Sequence, residues 1–167
     1  DTDNRGGGIL AAHRMIAQHI RRPASISGPL DMAASVERLE GWQETLHSVG
    51  LEPVHVEGDF TLDSGRECME QLLDMHPNID GVFIASDLMA LGAVPVARRR
   101  GRIPGEDLQV IAFDDFTGAK GQDLTAVRNP AVELGTEAAG MLLELIDGKD
   151  PASPRILPTT LTIRSSG

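Results

Sequence analysis

Residues 108–115, with the sequence LQVIAFDD, constrain the fold of this chain more than any other segment. The run at 109–113 is short and mostly apolar, which is typical of a strand that is buried on both faces of a sheet. Two carboxylates, Asp114 and Asp115, follow it directly. In open α/β sheets ligands bind at the carboxyl ends of the strands, so we expect Asp114 to lie beside a ligand cleft.

Strand-like and helix-like segments alternate along the rest of the chain. Strands are predicted at 24–27, 53–57, 81–85 and 125–128, with a final extended segment at 156–163. Helices are predicted at 4–19, 32–49, 61–75, 88–100 and 129–147, because each has an apolar stripe or the cap residues of a helix. This order predicts an α/β fold whose parallel sheet is flanked by helices on both faces.

Particular residues mark the boundaries of the helices. Asn4 and Asn129 are expected to cap the first and last helices, and Pro95 is expected to kink the fourth. Three glycines at 6–8 open the first helix. Because no Lys-Ser/Thr pair follows them, they do not match a phosphate-binding loop, and they predict close packing of this helix on a neighbour.

The composition limits the partners of the chain. A formal net charge of −10 over 167 residues argues against binding of DNA or anionic lipid by this chain alone. Cys68 is the only cysteine, which rules out an internal disulfide and suits a cytoplasmic location. No apolar run is long enough to cross a bilayer, so we expect no membrane partner.

No catalytic or metal-binding motif is present in the sequence. The five histidines form neither an HExxH motif nor a Cys/His cluster, and no serine lies in a GxSxG turn. Asp114 and Asp115 are consecutive at a strand end, so their side chains should point in different directions and make a poor acid–base pair. A phosphate-accepting receiver site would need a lysine in 125–129, which has none. We therefore expect a protein that is not an enzyme and that uses no cofactor and no metal.

Six side chains are candidates for a ligand site at the carboxyl edge of the sheet. Five are polar and suit a small polyhydroxylated ligand, and one is an aromatic ring that would form an apolar wall: Asp3, Arg38, Ser86, Asp114, Asn129 and Phe60. Several also have a purely structural interpretation: a helix cap for Asp3 and Asn129, a surface ion pair for Arg38 and a core position for Phe60.

Seven segments of the chain, in order and with matching gaps, resemble the effector-binding core of the LacI/GalR family of bacterial transcriptional regulators. They are DNRGGG, SGPLDMAASVERLEGWQETLHSVGL, EGDFTLDSG, IASDLMALGA, IPGEDLQVIAFDD, LTAVRNPAVELGTEAA and LPTTLTIRSSG. The resemblance implies a Rossmann-like, flavodoxin-like lobe of the periplasmic binding protein type I fold.

The same resemblance implies how the chain is divided between lobes. Residues 1–128 would form the C-terminal lobe, a helix and a strand in 129–159 would return to an N-terminal lobe, and 160–167 would be a strand back in the C-terminal lobe. The chain opens with DTDNRGGG and has no initial methionine. We therefore expect a piece of a longer protein, whose helix-turn-helix DNA-binding domain would precede Asp1.

The resemblance assigns effector contact to the residues that match the family's arginine, aspartates and aromatic wall: Asp3, Arg38, Phe60 and Asp114. Ser86 departs from the family, because it stands where some sugar-responsive members have asparagine. Asn129 stands where other members often have glutamine. These two departures leave the identity of the effector open.

The function implied by the resemblance is that of an effector-sensing, dimerising domain. A small polar effector, such as a sugar, would bind between the lobes and shift the DNA affinity of the full-length protein. Operator DNA would be bound only through the missing N-terminal domain. The homodimer would form through Leu88, Leu91 and the loop from Gly118 to Gln122.

Three alternatives remain open from the sequence. A sugar-binding protein of a transport system would share the fold. An enzyme of flavodoxin-like architecture would share the sheet, although no nucleophile, metal motif or cofactor loop is found. A plain dimerisation module is the third, because half of the implied cleft lies outside this chain.

Overall fold

Six strands and five helices lie within residues 1–116, 123–149 and 154–167, the part of the chain that this computed structural model describes. The helices are α1 (Asn4–Ala17), α2 (Ala33–His47), α3 (Leu62–Met75), α4 (Asp87–Arg99) and α5 (Ala131–Ile146). The strands are β1 (Pro23–Ser27), β2 (Val54–Glu57), β3 (Gly81–Ile84), β4 (Gln109–Asp114), β5 (Thr125–Arg128) and β6 (Thr160–Thr162).

The strands form one sheet in the order β2-β1-β3-β4-β5-β6. The first five are parallel, as predicted, but β6 runs antiparallel to β5. The chain leaves the sheet at Arg128 and returns beside the same residue, because Thr160 pairs with Arg128. A strand that re-enters from the edge at which its neighbour ended must run in the opposite direction, so the sheet is mixed.

Residues of the central strands alternate between two hydrophobic cores. Val82 and Val110 face one core, which α3 and α4 cover with Met69, Leu72, Met89 and Ala93. Phe83 and Phe113 face the other, which α1 and α2 cover with Ala11, Met15, Leu39 and Trp42. Burial of both faces explains why these strands are continuous apolar runs in the sequence. The predicted covering of the sheet by helices on both faces is confirmed.

Reciprocal glycine contacts bring each pair of helices together. A Cβ atom on Gly8 of α1 would lie 2.1 Å from the Arg38 carbonyl oxygen of α2, and one on Gly41 of α2 would lie 2.2 Å from the Arg5 carbonyl oxygen. The pair α3 and α4 repeats this arrangement through Gly65 and Gly92. The packing role predicted for the glycines at 6–8 is therefore confirmed for Gly8 and for Gly7, whose added Cβ atom would lie 2.5 Å from the Phe113 ring, whereas one on Gly6 would meet only Asp3 of its own helix cap.

Two local predictions about the helix caps are wrong. Asp3, not Asn4, caps α1, since its Oδ1 accepts a hydrogen bond from the Gly6 amide at 2.7 Å. No side chain caps α5, and Asn129 is bonded elsewhere. Pro95 lies inside α4, which continues to Arg99, and the kink expected there stays a prediction. The two cap predictions failed because these asparagine side chains bond to groups that are distant in the sequence.

Candidate functional site

A cavity of about 510 Å³ opens at the carboxyl edge of the sheet, beside the ends of β3 and β4. Its lining combines a few charged groups with a larger apolar surface: Met32, Ala34, Arg38, Phe60, Ser86, Asp87, Leu88, Leu91, Asp114 and Phe116. Four of the six predicted site residues, Arg38, Phe60, Ser86 and Asp114, therefore meet in one cavity.

Arg38 is held in place by three elements of the fold. Its Nε donates to Asn4 Oδ1 at 2.9 Å and its Nη1 donates to the Ala85 carbonyl oxygen at 2.6 Å. Its Cζ lies 3.7 Å from the centre of the Phe113 ring, a cation–π contact. Burial lowers the pKa of the guanidinium and the charge of Asp114 opposes that shift, yet an arginine stays charged. Arg38 is thus a fixed positive charge, not the surface ion pair that the sequence left open.

Asp114 and Asp115 are adjacent, but their side chains have separate partners. Asp114 Oδ1 lies 3.8 Å from Arg38 Nη2, whereas Asp115 Oδ1 lies 2.7 Å from Arg164 Nη2. Asp115 Oδ2 also accepts a hydrogen bond from Thr162 of β6 at 2.9 Å. The backbone φ angles of Asp114 and Asp115 are positive, 95° and 58°, a conformation that residues other than glycine rarely adopt. This sharp turn directs Asp114 to the cavity and Asp115 to β6.

Phe60 also has a strained backbone, with a φ of 67°. Its ring is partly exposed in the cavity and packs against the core beneath α3 and α4. A Cβ atom on Gly28 would lie 2.1 Å from the ring, so glycine is needed there for Phe60 to reach this position. Phe60 therefore forms the predicted aromatic wall of the cavity and also packs against the core.

Ser86 has a structural role as well as a place in the cavity lining. Its Oγ accepts a hydrogen bond from the Met89 amide at 3.2 Å and caps α4. A hydroxyl that is already engaged with a helix amide can still offer its proton to a ligand.

Asn129 and Asp3 lie outside the lining of the cavity. Asn129 Nδ2 donates to Asp114 Oδ1 at 3.3 Å, and Asn129 Oδ1 accepts from Thr2 Oγ1 at 2.9 Å. Asn129, the residue that follows β5, therefore supports Asp114. Asp3 is bonded to the first turn of α1, which matches the cap interpretation.

Besides aliphatic side chains, the cavity contains one charged and one aromatic residue that were not identified as site residues from the sequence, Asp87 and Phe116. Asp87 begins α4 three residues after the end of β3, and Asp114 ends β4, so the strand-end rule could have found Asp87 as well. Phe116 is 51% exposed and forms a second aromatic surface on the cavity. Burial raises the pKa of the Asp87 carboxyl from 3.8 to about 7, although a hydrogen bond from the Phe116 amide opposes this rise.

A second cavity, of about 550 Å³, opens at the opposite edge of the sheet near the starts of β1 and β2. Arg22, Glu52 and Asn78 are among its lining residues, and none of the six predicted site residues is. Because parallel sheets bind ligands at the carboxyl edge, the cavity that contains Arg38 and Asp114 is the candidate site.

Two other kinds of feature are absent from the described residues. Within residues 1–116, 123–149 and 154–167, no group of three or more His, Cys, Asp or Glu side chains is arranged to hold a metal ion. No helix in the described part of the chain has the length and apolar character needed to cross a membrane.

The predicted dimer contacts are only partly described. Leu88 is 48% exposed, and Leu88 and Leu91 both line the cavity. The loop from Gly118 to Gln122 lies outside the described residues. The dimer interface stays a prediction.

Comparisons with known proteins identify the family of this chain. The model of a periplasmic binding protein-like domain matches residues 12–167. The transcriptional regulator CelR of Thermobifida fusca is 44% identical over 100% of this chain and 51% of its own length. The transcriptional repressor CytR of Escherichia coli K12 is 36% identical over 98% of this chain and 50% of its own length. The chain thus spans about half the length of these curated relatives.

Solved structures agree with the sequence relatives. The complex of CelR with cellobiose superposes with a TM-score of 0.94 at 44% identity, over 100% of this chain and 53% of that chain. A dimeric Lac repressor superposes with a TM-score of 0.93 at 27% identity, over 99% of this chain and 62% of that chain. Both of these structures are of transcriptional regulators, and neither is a binding protein of a transport system. The chain belongs to the periplasmic-binding-protein-like domains, in the form that LacI-family transcriptional regulators contain.

Proposed function

We propose that the cavity at the carboxyl edge is one half of an effector site, and that its ligand is a sugar, with a disaccharide as the first candidate. The observation that carries the proposal is the pairing of Arg38 and Asp114, which are held close together in the lining of this cavity. CelR, the relative at 44% identity, has been solved with cellobiose, which supports a disaccharide here.

The chemistry of the lining supports a sugar in particular. A pyranose ring has hydroxyl groups around its edge and apolar C–H groups on its two faces. Arg38 offers donors and Asp114 offers acceptors for the hydroxyl edge. Phe60 and Phe116 offer apolar surfaces for the C–H faces, and Leu88 adds to the apolar part of the lining.

The other half of the site would come from a lobe outside this chain. The relatives are about twice as long as the stretch that they share with this chain. None of the residues of α5 is buried against the described residues, and several of its exposed side chains are large and apolar. This supports the division in which 129–159 return to a second lobe.

A sugar that contacts both lobes would stabilise one orientation of the lobes over another. Such differential binding shifts the population of conformations, and in a dimer it changes how the DNA-binding domains are presented. The relatives CelR and CytR are transcriptional regulators, which supports this mechanism for the full-length protein.

The proposal is tested by thermal unfolding of the full-length gene product with cellobiose, other disaccharides, monosaccharides, nucleosides and sugar phosphates. A ligand at one hundred times its dissociation constant adds about 2.7 kcal/mol to the free energy of unfolding. We expect the largest increase in melting temperature with a disaccharide. No increase with any compound in the panel would contradict the proposal.

Two isosteric variants show whether the shift arises in the cavity. Asp114→Asn removes the charge beside Arg38 and should abolish the increase caused by the ligand. Asp115→Asn is the matched control, because Asp115 is the next residue and pairs with Arg164 away from the cavity. The control should keep the increase, even if its own melting temperature is lower. An equal loss of the ligand-induced increase in both variants would contradict the assignment of the ligand to this cavity.

A further inference from the structure

Three carboxylates and two guanidinium groups are clustered at the ends of β3 and β4. Arg38 pairs with Asp114 at 3.8 Å, and Arg164 pairs with Asp115 at 2.7 Å. Among the described residues, Asp87 has no ion pair. Each of the two guanidinium groups is paired with another aspartate, so the cluster leaves Asp87 without a positively charged partner.

The surroundings of Asp87 leave one of its oxygens unsatisfied. The residue is 5% exposed, and its Oδ2 accepts a hydrogen bond from the Phe116 amide at 2.5 Å. Its Oδ1 is buried and has no hydrogen-bond partner among the described residues. A buried polar atom without a partner is costly, so a donor or a proton at Oδ1 would be stabilising.

Opposing influences act on the charge of Asp87. The start of α4 and the Phe116 amide favour the anion. Burial and the carboxylates of Asp114 and Asp115 favour the neutral acid, and together they raise the pKa of Asp87 to about 7. Of the two guanidinium groups nearby, one is engaged with each neighbouring aspartate. The acid and the anion are therefore close in free energy at neutral pH.

We propose that Asp87 is a specificity-determining residue of the effector site, which binds a sugar as the neutral acid and donates its O–H to a ligand oxygen. This inference rests on the proposed function, because it requires a ligand in the cavity that Asp87 lines. Asp87 is only 5% exposed, so its charge has little solvation even in the empty cavity, and a sugar would bring hydroxyl groups but no positive charge. The anion would therefore gain no compensating positive charge from a sugar, whereas the acid would gain an acceptor for its proton.

Binding of a sugar would then be coupled to uptake of one proton from the solvent by Asp87. Below its pKa the carboxyl is already neutral, so affinity would not change with pH. Above pH 7 the proton must first be taken up, so the dissociation constant rises by about tenfold per pH unit until the pKa of the bound acid is reached. An acidic or cationic ligand would not show this pattern.

The experiment is calorimetric titration of the full-length gene product with cellobiose at about pH 6 and about pH 8.5. Each titration is done in two buffers with different enthalpies of ionisation, which gives the number of protons taken up without any mutation. We expect the dissociation constant to rise about 30-fold between the two pH values, with proton uptake at the higher one. A dissociation constant that does not change, with no proton uptake, would overturn the inference while leaving the proposed function intact.

The variant Asp87→Asn tests the residue directly, since an amide keeps the shape of the neutral acid and retains a donor. We expect it to bind cellobiose at both pH values as tightly as the unaltered protein does at pH 6. Loss of binding at both pH values in a variant that still melts cooperatively would show that the anion is needed, and would overturn the inference. Absence of cellobiose binding by the unaltered protein at both pH values would overturn the inference together with the disaccharide proposal.

Discussion

Asp3 illustrates how one side chain can have a structural role and a proposed binding role. It caps α1 through the Gly6 amide, whereas its resemblance to a family aspartate predicts contact with the effector. Asparagine caps helices as well as aspartate does, but it has no charge. The two roles can therefore be separated by substitution.

We predict that Asp3→Asn leaves the stability of this chain nearly unchanged, and that Asp3→Ala lowers the free energy of unfolding by about 1 kcal/mol. Urea unfolding followed by circular dichroism measures both values. In the full-length protein, Asp3→Asn should weaken the binding of a sugar if the charge contacts it. Unchanged sugar affinity in Asp3→Asn would leave Asp3 as a helix cap alone.

Backbone strain at single residues is also concentrated around the cavity. Phe60 and Asp114, which line it, and Asp115, which follows, all have positive φ values. Such conformations cost of order 1–3 kcal/mol each, and they are maintained only when the surrounding contacts fix them. Here the contacts are the ion pairs of the aspartates and the packing of Phe60 against the core.

At the scale of elements, both helix pairs depend on glycine at their closest approach. A Cβ atom on Gly92 of α4 would lie 1.9 Å from the Leu62 carbonyl oxygen, which belongs to the backbone of α3 and cannot move away easily. Gly140 in α5 provides the matched comparison, because a Cβ atom there would meet nothing within 4 Å.

We predict that Gly92→Ala destabilises this chain by about 2 kcal/mol, since overpacking of the contact outweighs the gain in helix propensity. Gly140→Ala, with only the propensity gain, should be neutral or stabilising by up to about 1 kcal/mol. Equilibrium unfolding in urea compares the two variants. A stabilising effect of Gly92→Ala would show that the helices can separate at little cost.

At the scale of the whole molecule, α5 differs from the other four helices. It has large apolar side chains that are more than half exposed: Val132, Leu142, Leu143, Leu145 and Ile146. Helices α1 to α4 each bury residues in the cores on the two faces of the sheet. A helix with an uncovered apolar surface has little tertiary stabilisation of its own.

We predict that the amides of α5 exchange with deuterium much faster than those of α1 to α4 in the 167-residue chain. In the full-length protein they should be protected, because the second lobe would cover the apolar side chains. Hydrogen exchange followed by mass spectrometry measures both proteins. Equal protection of α5 in the two would contradict the proposed return of 129–159 to another lobe.

The sequence alone determined the elements and their order. The apolar run before Asp114 and the helices predicted at 61–75 and 88–100 were identified because each is a pattern of neighbouring residues. The same local patterns placed Arg38, Phe60, Ser86 and Asp114 near the carboxyl edge, and the structure brings these four into one cavity.

The tertiary structure alone decided what depends on groups that are distant in the chain. The direction of β6, the bonding of Asn129 to Asp114 and the burial of Asp87 between strand ends have no signature in their immediate neighbours. Asn4 became a partner of Arg38, 34 residues away, and so could not be recognised from the cap pattern. Periodicity and capping are set by residues within a few positions, whereas solvation, charge pairing and pKa are set by whatever the fold places alongside.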